Sequence, residues 1–176
     1  MGTQVSPKLS ILYIEELDFK SGVTERTAFK IGEVNNFISL FQNKAYDFQF
    51  LGPFEPLNGG EDGTRGLLFN SEIIGITGRL AKSGDTGTTL IDCHLVRNQV
   101  DQGSIFSSPI SISNTAANGA HFGKDLVLNN NETPAGVVLP TISTVILNQF
   151  DDLRIDVDSA AVGAEDLTIT IHYRLR

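Results

Sequence analysis

Few side chains in this chain have types and spacing suited to chemistry. His94 and Asp92 stand two residues apart in TTLIDCHLVR. On an extended strand they share one face, about 7 Å apart. That spacing would place two metal ligands side by side; the pair is read as exposed polar residues. His121 falls in the polar stretch Asn114–Lys124, and His172 on the wet face of the last apolar-alternating stretch. Asp151, Asp152, Asp156, Asp158, Glu165 and Asp166 crowd the C-terminal region. Oxygen-rich loops hold calcium, but DVDSAAVGAED does not follow EF-hand spacing. The acids are read as a solvated edge that discourages edge-to-edge sheet pairing.

Cys93 is the single cysteine and shares the apolar phase of its strand with Ile91 and Leu95. It is read as a buried, inert thiol. One cysteine closes no internal disulfide and leaves the redox compartment undecided. HExxH, CxxC, GxSxG and GxxxxGK do not occur. The glycine loops GEDGTRG and AKSGDTG lack the strand–loop–helix context and the lysine of a phosphate loop, and are read as surface turns. A glycosidase with paired carboxylates needs an aromatic-lined cleft, and the chain has no Trp and three Tyr. The sequence therefore offers no catalytic residue, no cofactor site and no metal site.

The elements that would position these residues are mostly strands. In Thr144–Leu175, Leu153, Ile155 and Val157 alternate with polar residues, then Leu167, Ile169, Ile171, Tyr173 and Leu175 do the same. A period of two puts each apolar set on one strand face. The small, polar Ser159–Asp166 between them suits a turn, which predicts a closing β-hairpin. From Leu67 onward, short apolar runs alternate with turn signals: Thr89–Arg97, Ile110–Ser113, Leu126–Leu128 and Val137–Leu139. Gly75 and Gly78 in Leu67–Leu80 mark a bulge or a close approach. This pattern predicts a mainly β fold, an antiparallel β-sandwich of jelly-roll type.

One helix is expected, over Thr24–Gln42. Thr24 suits the N-cap, and Glu25 places negative charge at the positive end of the helix dipole. Ile31, Val34, Ile38 and Phe41 fall at a and d positions of a short heptad seam, the candidate oligomerisation residues. Two uses stay open: a helix laid on the sandwich or a neighbour, or an axial coil of two or three chains. Met1–Ser10 is read as an arm that orders against a partner. Ala45–Phe54 reads as a strand. The glycine-rich Leu57–Gly66 is taken as the boundary between an N-terminal region, residues 1–60, and a β-sandwich domain, residues 61–176.

Composition narrows the function classes. The 176 residues are 40% hydrophobic and only 19% charged, with a net charge of −8. Such a surface repels phosphate backbones, and no basic stripe offsets it, so nucleic acid is not expected as a partner. The first residues lack the charged start and apolar run of a signal peptide. No apolar run approaches the roughly 20 residues of a membrane helix, so no membrane partner is expected.

From Phe69 to Leu175 the order of features is distinctive. GRLAKSGDTGTTLIDCHLVRN is followed by a turn and SIFSSP; DDLRIDVD comes later, and then LTITIHYRL. This resembles β-sandwich domains of virion structural proteins of tailed bacteriophages, in tail-associated, fibre and capsid-decorating components. There the pattern runs from a Gly/Ser turn through T-T-x-D, an N-G turn and S-I-F to G-D-x-L-R-hydrophobic-D-V. Here Asn98–Gly103 replaces the N-G turn, and Asp151-Asp152 stands for G-D. The resemblance spans about 60% of the chain. It implies a non-enzymatic virion protein made in a host cytoplasm and anchored by its N-terminal segment. It also implies other virion proteins as partners and a homo-oligomer, with a trimer favoured. The alternative is a carbohydrate-binding module that recognises a host-surface glycan, with Phe122 and Tyr173 as its stacking aromatics. Polar loops Ala81–Thr88, Asn114–Lys124 and Asn129–Thr133 would then carry recognition.

Overall fold

A computed structural model describes residues 19–21, 24–26, 43–56 and 64–176. The chain divides into two compact units, Met1–Gln42 and Asn43–Arg176. In the first, β1 (Phe19–Ser21) pairs antiparallel with β2 (Thr24–Arg26), Ser21 opposite Thr24 and Phe19 opposite Arg26. This corrects the start of the expected helix. Thr24 and Glu25 are extended, and their backbone pairs across to Lys20 and Ser21 instead of opening a helical turn. Ile31, Val34, Ile38 and Phe41 lie outside the described residues, as does the arm Met1–Ser10. No described residue is helical, so no described helix is long and apolar enough to cross a membrane.

The second unit begins with β3 (Asn43–Pro53), β4 (Thr64–Gly66), β5 (Ser71–Lys82), β6 (Thr88–Arg97), β7 (Val100–Ser104) and β8 (Phe106–Ser108). It continues with β9 (Ile110–Ser113), β10 (His121–Asp125), β11 (Asn131–Glu132), β12 (Val137–Val138) and β13 (Thr141–Ile142). β14 (Ile146–Leu147), β15 (Asp152–Ser159) and β16 (Glu165–Leu175) complete it. One six-stranded sheet runs β11-β10-β5-β16-β3 with β14 beside β5; the other runs β12-β9-β6-β15-β4 with β7 beside β6. β8 and β13 form a separate pair, and the neighbouring strands are all antiparallel.

Two expectations change here. The hairpin of the last two strands does not form. β15 lies between β6 and β4, whereas β16 lies between β5 and β3 in the other sheet. Ser159–Asp166 therefore crosses from sheet to sheet, pinned on the way by a bridge between Val162 and Thr86. The boundary near residue 60 also moves. β3 pairs with β16 from Asn43↔Arg174 to Pro53↔Glu165, so it is part of the C-terminal unit and not of an N-terminal appendage.

Alternation puts the apolar side chains of both sheets into one core. Leu167, Ile169, Ile171 and Tyr173 of β16 face inward with Phe48 and Phe50 of β3 and Ile73, Ile76 and Leu80 of β5. The other sheet contributes Ile91, Cys93 and Leu95, then Leu153, Ile155 and Val157. Each such side chain stabilises the fold by roughly 1.5–3 kcal/mol. A bulge between His172 and Tyr173, opposite Gly75 and Ile73, lets β5 switch phase so that both Ile73 and Ile76 point inward. Gly78 is a close approach, as its position in the pattern suggested. A Cβ there would overlap the Phe122 ring and stand 2.9 Å from Ile169 Cδ1.

Candidate functional site

The densest gathering of ionisable side chains lies on the outer face of the second sheet. Cross-strand pairing of β6 and β15 sets His94 opposite Arg154 and Asp92 opposite Asp156. Pairing of β6 and β7 sets His94 opposite Ser104 and brings Asp101 alongside. Asp92 and His94 are thus not an exposed pair. They are two members of a partly buried, six-residue network whose other members lie up to 64 residues away in sequence.

Arg154 is the internal cation of this network. Its guanidinium grips Asp156 with two bonds, Nε to Oδ1 at 2.9 Å and a terminal nitrogen to Oδ2 at 2.7 Å. The same terminal nitrogen donates to Asp101 at 2.8 Å. Asp156 retains only 4% side-chain exposure, so this bidentate grip offsets a real desolvation cost. Asp101 also accepts from His94 Nδ1 at 2.9 Å and from the Gly103 amide at 2.7 Å. Burial pulls the Asp101 carboxyl upward, but the Gly103 amide, His94 and Arg154 outweigh it and hold it down at about 2. His94 Nε2 faces Asp156 at 3.6 Å and Asp92 at 3.7 Å. Asp92 is bonded by the Ser104 hydroxyl and by the Cys93 amide. Asp158, next along β15, is raised by burial and then by Asp92 and Asp156.

The chemistry open to this arrangement is limited by how completely its members occupy one another. Ser104 Oγ bonds Asp92 and accepts the Phe106 amide at 2.8 Å, so it does not face a base that would activate it. Both nitrogens of His94 face carboxylates. Cys93 points the other way, into the core, where burial raises its thiol well above the ordinary range. Among the described residues no group of three or more His, Cys, Asp or Glu side chains is placed to hold a metal ion. What the cluster does is mechanical: it clamps the β6–β7 hairpin onto β15.

The remaining acids of the C-terminal region are not a solvated edge. Asp151 is 1% exposed in its side chain and accepts two bonds from Arg97, at 2.7 and 2.8 Å, and one from the Asn148 amide. Arg97 and then the Asn148 amide hold its carboxyl below the usual range against the pull of burial. Glu165 pairs with Lys82 at 2.9 Å, and Asp166 accepts the Gly52 amide at 2.6 Å. The acids are placed by their partners because β15 and β16 are interior strands of their sheets. His172 bonds Thr77 Oγ1 across β16 and β5 at 2.9 Å, and His121 is exposed at the start of β10.

Of the two stacking aromatics expected for a glycan, Phe122 is corrected. It is fully buried on β10, a strand inside the stretch read as a polar loop, and packs over Gly78. Tyr173 does reach a groove, with Tyr46 at 5.0 Å between ring centroids, and Lys44, Leu67, Phe69 and Leu175 around them. Tyr46 donates to the Gly66 carbonyl at 2.6 Å. Burial and then Tyr46 raise the Tyr173 hydroxyl. At another place, loop 81–88 is tied to the loop after β9 and to the crossover: Ser83 Oγ to the Ala116 carbonyl at 2.7 Å, the Asp85 amide to the Val162 carbonyl at 2.7 Å.

Fold and site together define an antiparallel, two-sheet β protein whose polar cluster is internally paired. The chain matches no known family model, no curated protein and no solved structure.

Proposed function

We propose that the chain is a non-enzymatic structural protein of a tailed-bacteriophage virion, its two sheets stacked as a jelly-roll-like β-sandwich. One observation carries this reading. The segments through which the sequence resembles such virion domains coincide with the framework of the unit. TTLIDCHLVR is β6, SIF runs into β8, DLRIDVDS is β15 and EDLTITIHYRL is β16. The self-paired cluster around Arg154 supports it as well, since such a cluster stiffens a scaffold and leaves no group poised to react. In this reading the sandwich faces outward and residues 1–42 anchor it, as a tail, fibre or capsid-decorating component. The partners are other virion proteins and further copies of the chain, a trimer being favoured through the seam of Ile31, Val34, Ile38 and Phe41. Antibodies raised against the purified chain provide the test. Labelling of tails, fibres or head surfaces of particles from the source culture, seen by electron microscopy, is the expected result. Chain confined to the particle-free lysate would sink the proposal.

A second reading, recognition of a host-surface glycan, is favoured by the groove of Tyr46, Tyr173 and Phe69, because sugars stack on such aromatic faces. Binding on a glycan array that disappears in Phe69→Ala would support it. An array without signal would remove it.

A further inference from the structure

The two strand orders end on four edges of very unequal length. β11 and β12 have two residues each and β4 has three, whereas β3 has eleven. A short edge offers little backbone to a visiting strand; a long one is a template for another chain. Among the described residues β3 is paired on one side only, with β16. Its register with β16 runs unbroken from Asn43 to Phe50, so this stretch is straight. It carries two charges, Lys44 and Asp47, and no proline before Pro53. Of the large apolar side chains, Leu51 on this strand is the most exposed, at 79%.

We propose that the free edge of β3 pairs antiparallel with the β3 edge of a second copy, about a two-fold axis at Phe48. Directly opposed residues in a sheet point to the same face. Asn43, Ala45, Asp47, Gln49 and Leu51 form the outer set, while Phe48 and Phe50 are buried on the inner one. A two-fold axis must therefore pass at a residue pair, outer facing outer. An axis at Asp47 sets that carboxylate against its own copy, a repulsive pair. An axis at Gln49 sets Asp47 against Leu51. An axis at Phe48 sets Asp47 against Gln49, an amide that can donate to it, and Leu51 against Ala45. This register alone avoids charge on charge and carboxylate on Leu51, and it covers Leu51 with an apolar neighbour. Each sheet then continues into its copy across a closed, isologous contact. The inference concerns only β3 and holds whether or not the virion reading does.

The register makes Gln49 a switch of predictable sign, because Gln49 faces Asp47 of the other copy twice in each dimer. The self-association constant of the full-length chain is measured by sedimentation equilibrium for the wild type, Gln49→Lys and Gln49→Asp. Gln149→Lys and Gln149→Asp make the same charge changes at an exposed turn elsewhere. Gln49→Lys is expected to tighten the dimer, and Gln49→Asp to weaken it, each by about three- to tenfold. The Gln149 variants are expected to change it by less than about twofold. Circular dichroism and thermal melts check that every variant folds. A wild-type chain that stays monomeric up to about 1 mM overturns the proposal. So does self-association to which both Gln49 variants respond alike, or no more than the Gln149 pair, which is how association through residues 1–42 would behave. The virion reading is decided separately by particle labelling.

Discussion

Arg154 connects three strands through two carboxylates, and its neighbours show what each charge is doing. Replacing it with Met keeps the aliphatic stem but leaves Asp156 buried without its bidentate partner. The expected cost is about 3 kcal/mol, read as a fall in Tm of roughly 10 °C. Arg154→Lys should recover only part, since an ammonium cannot reproduce the two-pronged grip. A loss under 1 kcal/mol in the Met variant would show that the cluster is not a clamp. Asp158 works in the opposite sense. Its carboxyl is raised in the fold by burial, Asp92 and Asp156, so its ionisation costs stability as pH rises through the folded value. Asp158→Asn should therefore raise Tm at pH 7, and the gain should vanish below the unfolded value of 3.8. Asp101 has the reverse linkage. Held at about 2, it contributes stability above 3.8 that is lost as pH falls toward 2. Melting curves of both proteins from pH 2 to pH 8 read the two effects; an Asp158→Asn variant less stable at pH 7 would contradict the assignment. The sequence showed half of this cluster. Alternation in DLRIDVD and LIDCHL puts Arg154 with Asp156, and His94 with Asp92, on one face of each strand. That these two faces are one surface depends on β6 lying beside β15, and periodicity carries no information on which strands are neighbours.

The same limit appears at the scale of elements. Faces were legible: the inward sets of β6, β15 and β16 follow the alternation, and Cys93 sits in the core with Ile91 and Leu95. Partners were not. A small, polar, glycine-bearing segment serves equally well to turn a hairpin or to cross between sheets, and Ser159–Asp166 crosses. Phe122 was misplaced because NTAANGAHFGK has the composition of a loop. Only its pairing with β5 makes His121–Asp125 a strand, and only a glycine on that neighbour makes room for the ring. This gives an element-level prediction. Gly78→Ala places a methyl group where the Phe122 ring and Ile169 already lie, so β10 must shift away from β5. The expected loss is about 1–3 kcal/mol, and the amides of His121–Asp125 should lose hydrogen-exchange protection ahead of those of β16. A neutral Gly78→Ala variant would mean that the ring is free to move aside.

For the molecule as a whole, the decisive question is where the folding unit starts. A boundary at the glycine-rich Leu57–Gly66 follows from composition, because glycine marks linkers as readily as it marks connections between two strands of one unit. The structure places β3 before that stretch and β4 after it, both in the C-terminal unit. β3 covers one full edge of β16 and brings Phe48 and Phe50 into the common core, where Arg65 of β4 lies over the Phe48 ring at 5.7 Å. A chain beginning at Thr64 would strip β16 of that neighbour and remove both rings, each worth roughly 1.5–3 kcal/mol as buried surface. Against a total stability of about 5–15 kcal/mol, that loss is a large fraction. A chain beginning at Asn43 is therefore expected to melt in one cooperative transition near that of the full-length protein. One beginning at Thr64 should melt at far lower temperature or be recovered only as aggregate. Calorimetry of the two truncations decides it. Equal stability would mean that β3 is an accessory strand, and the unit would then begin where composition alone places it.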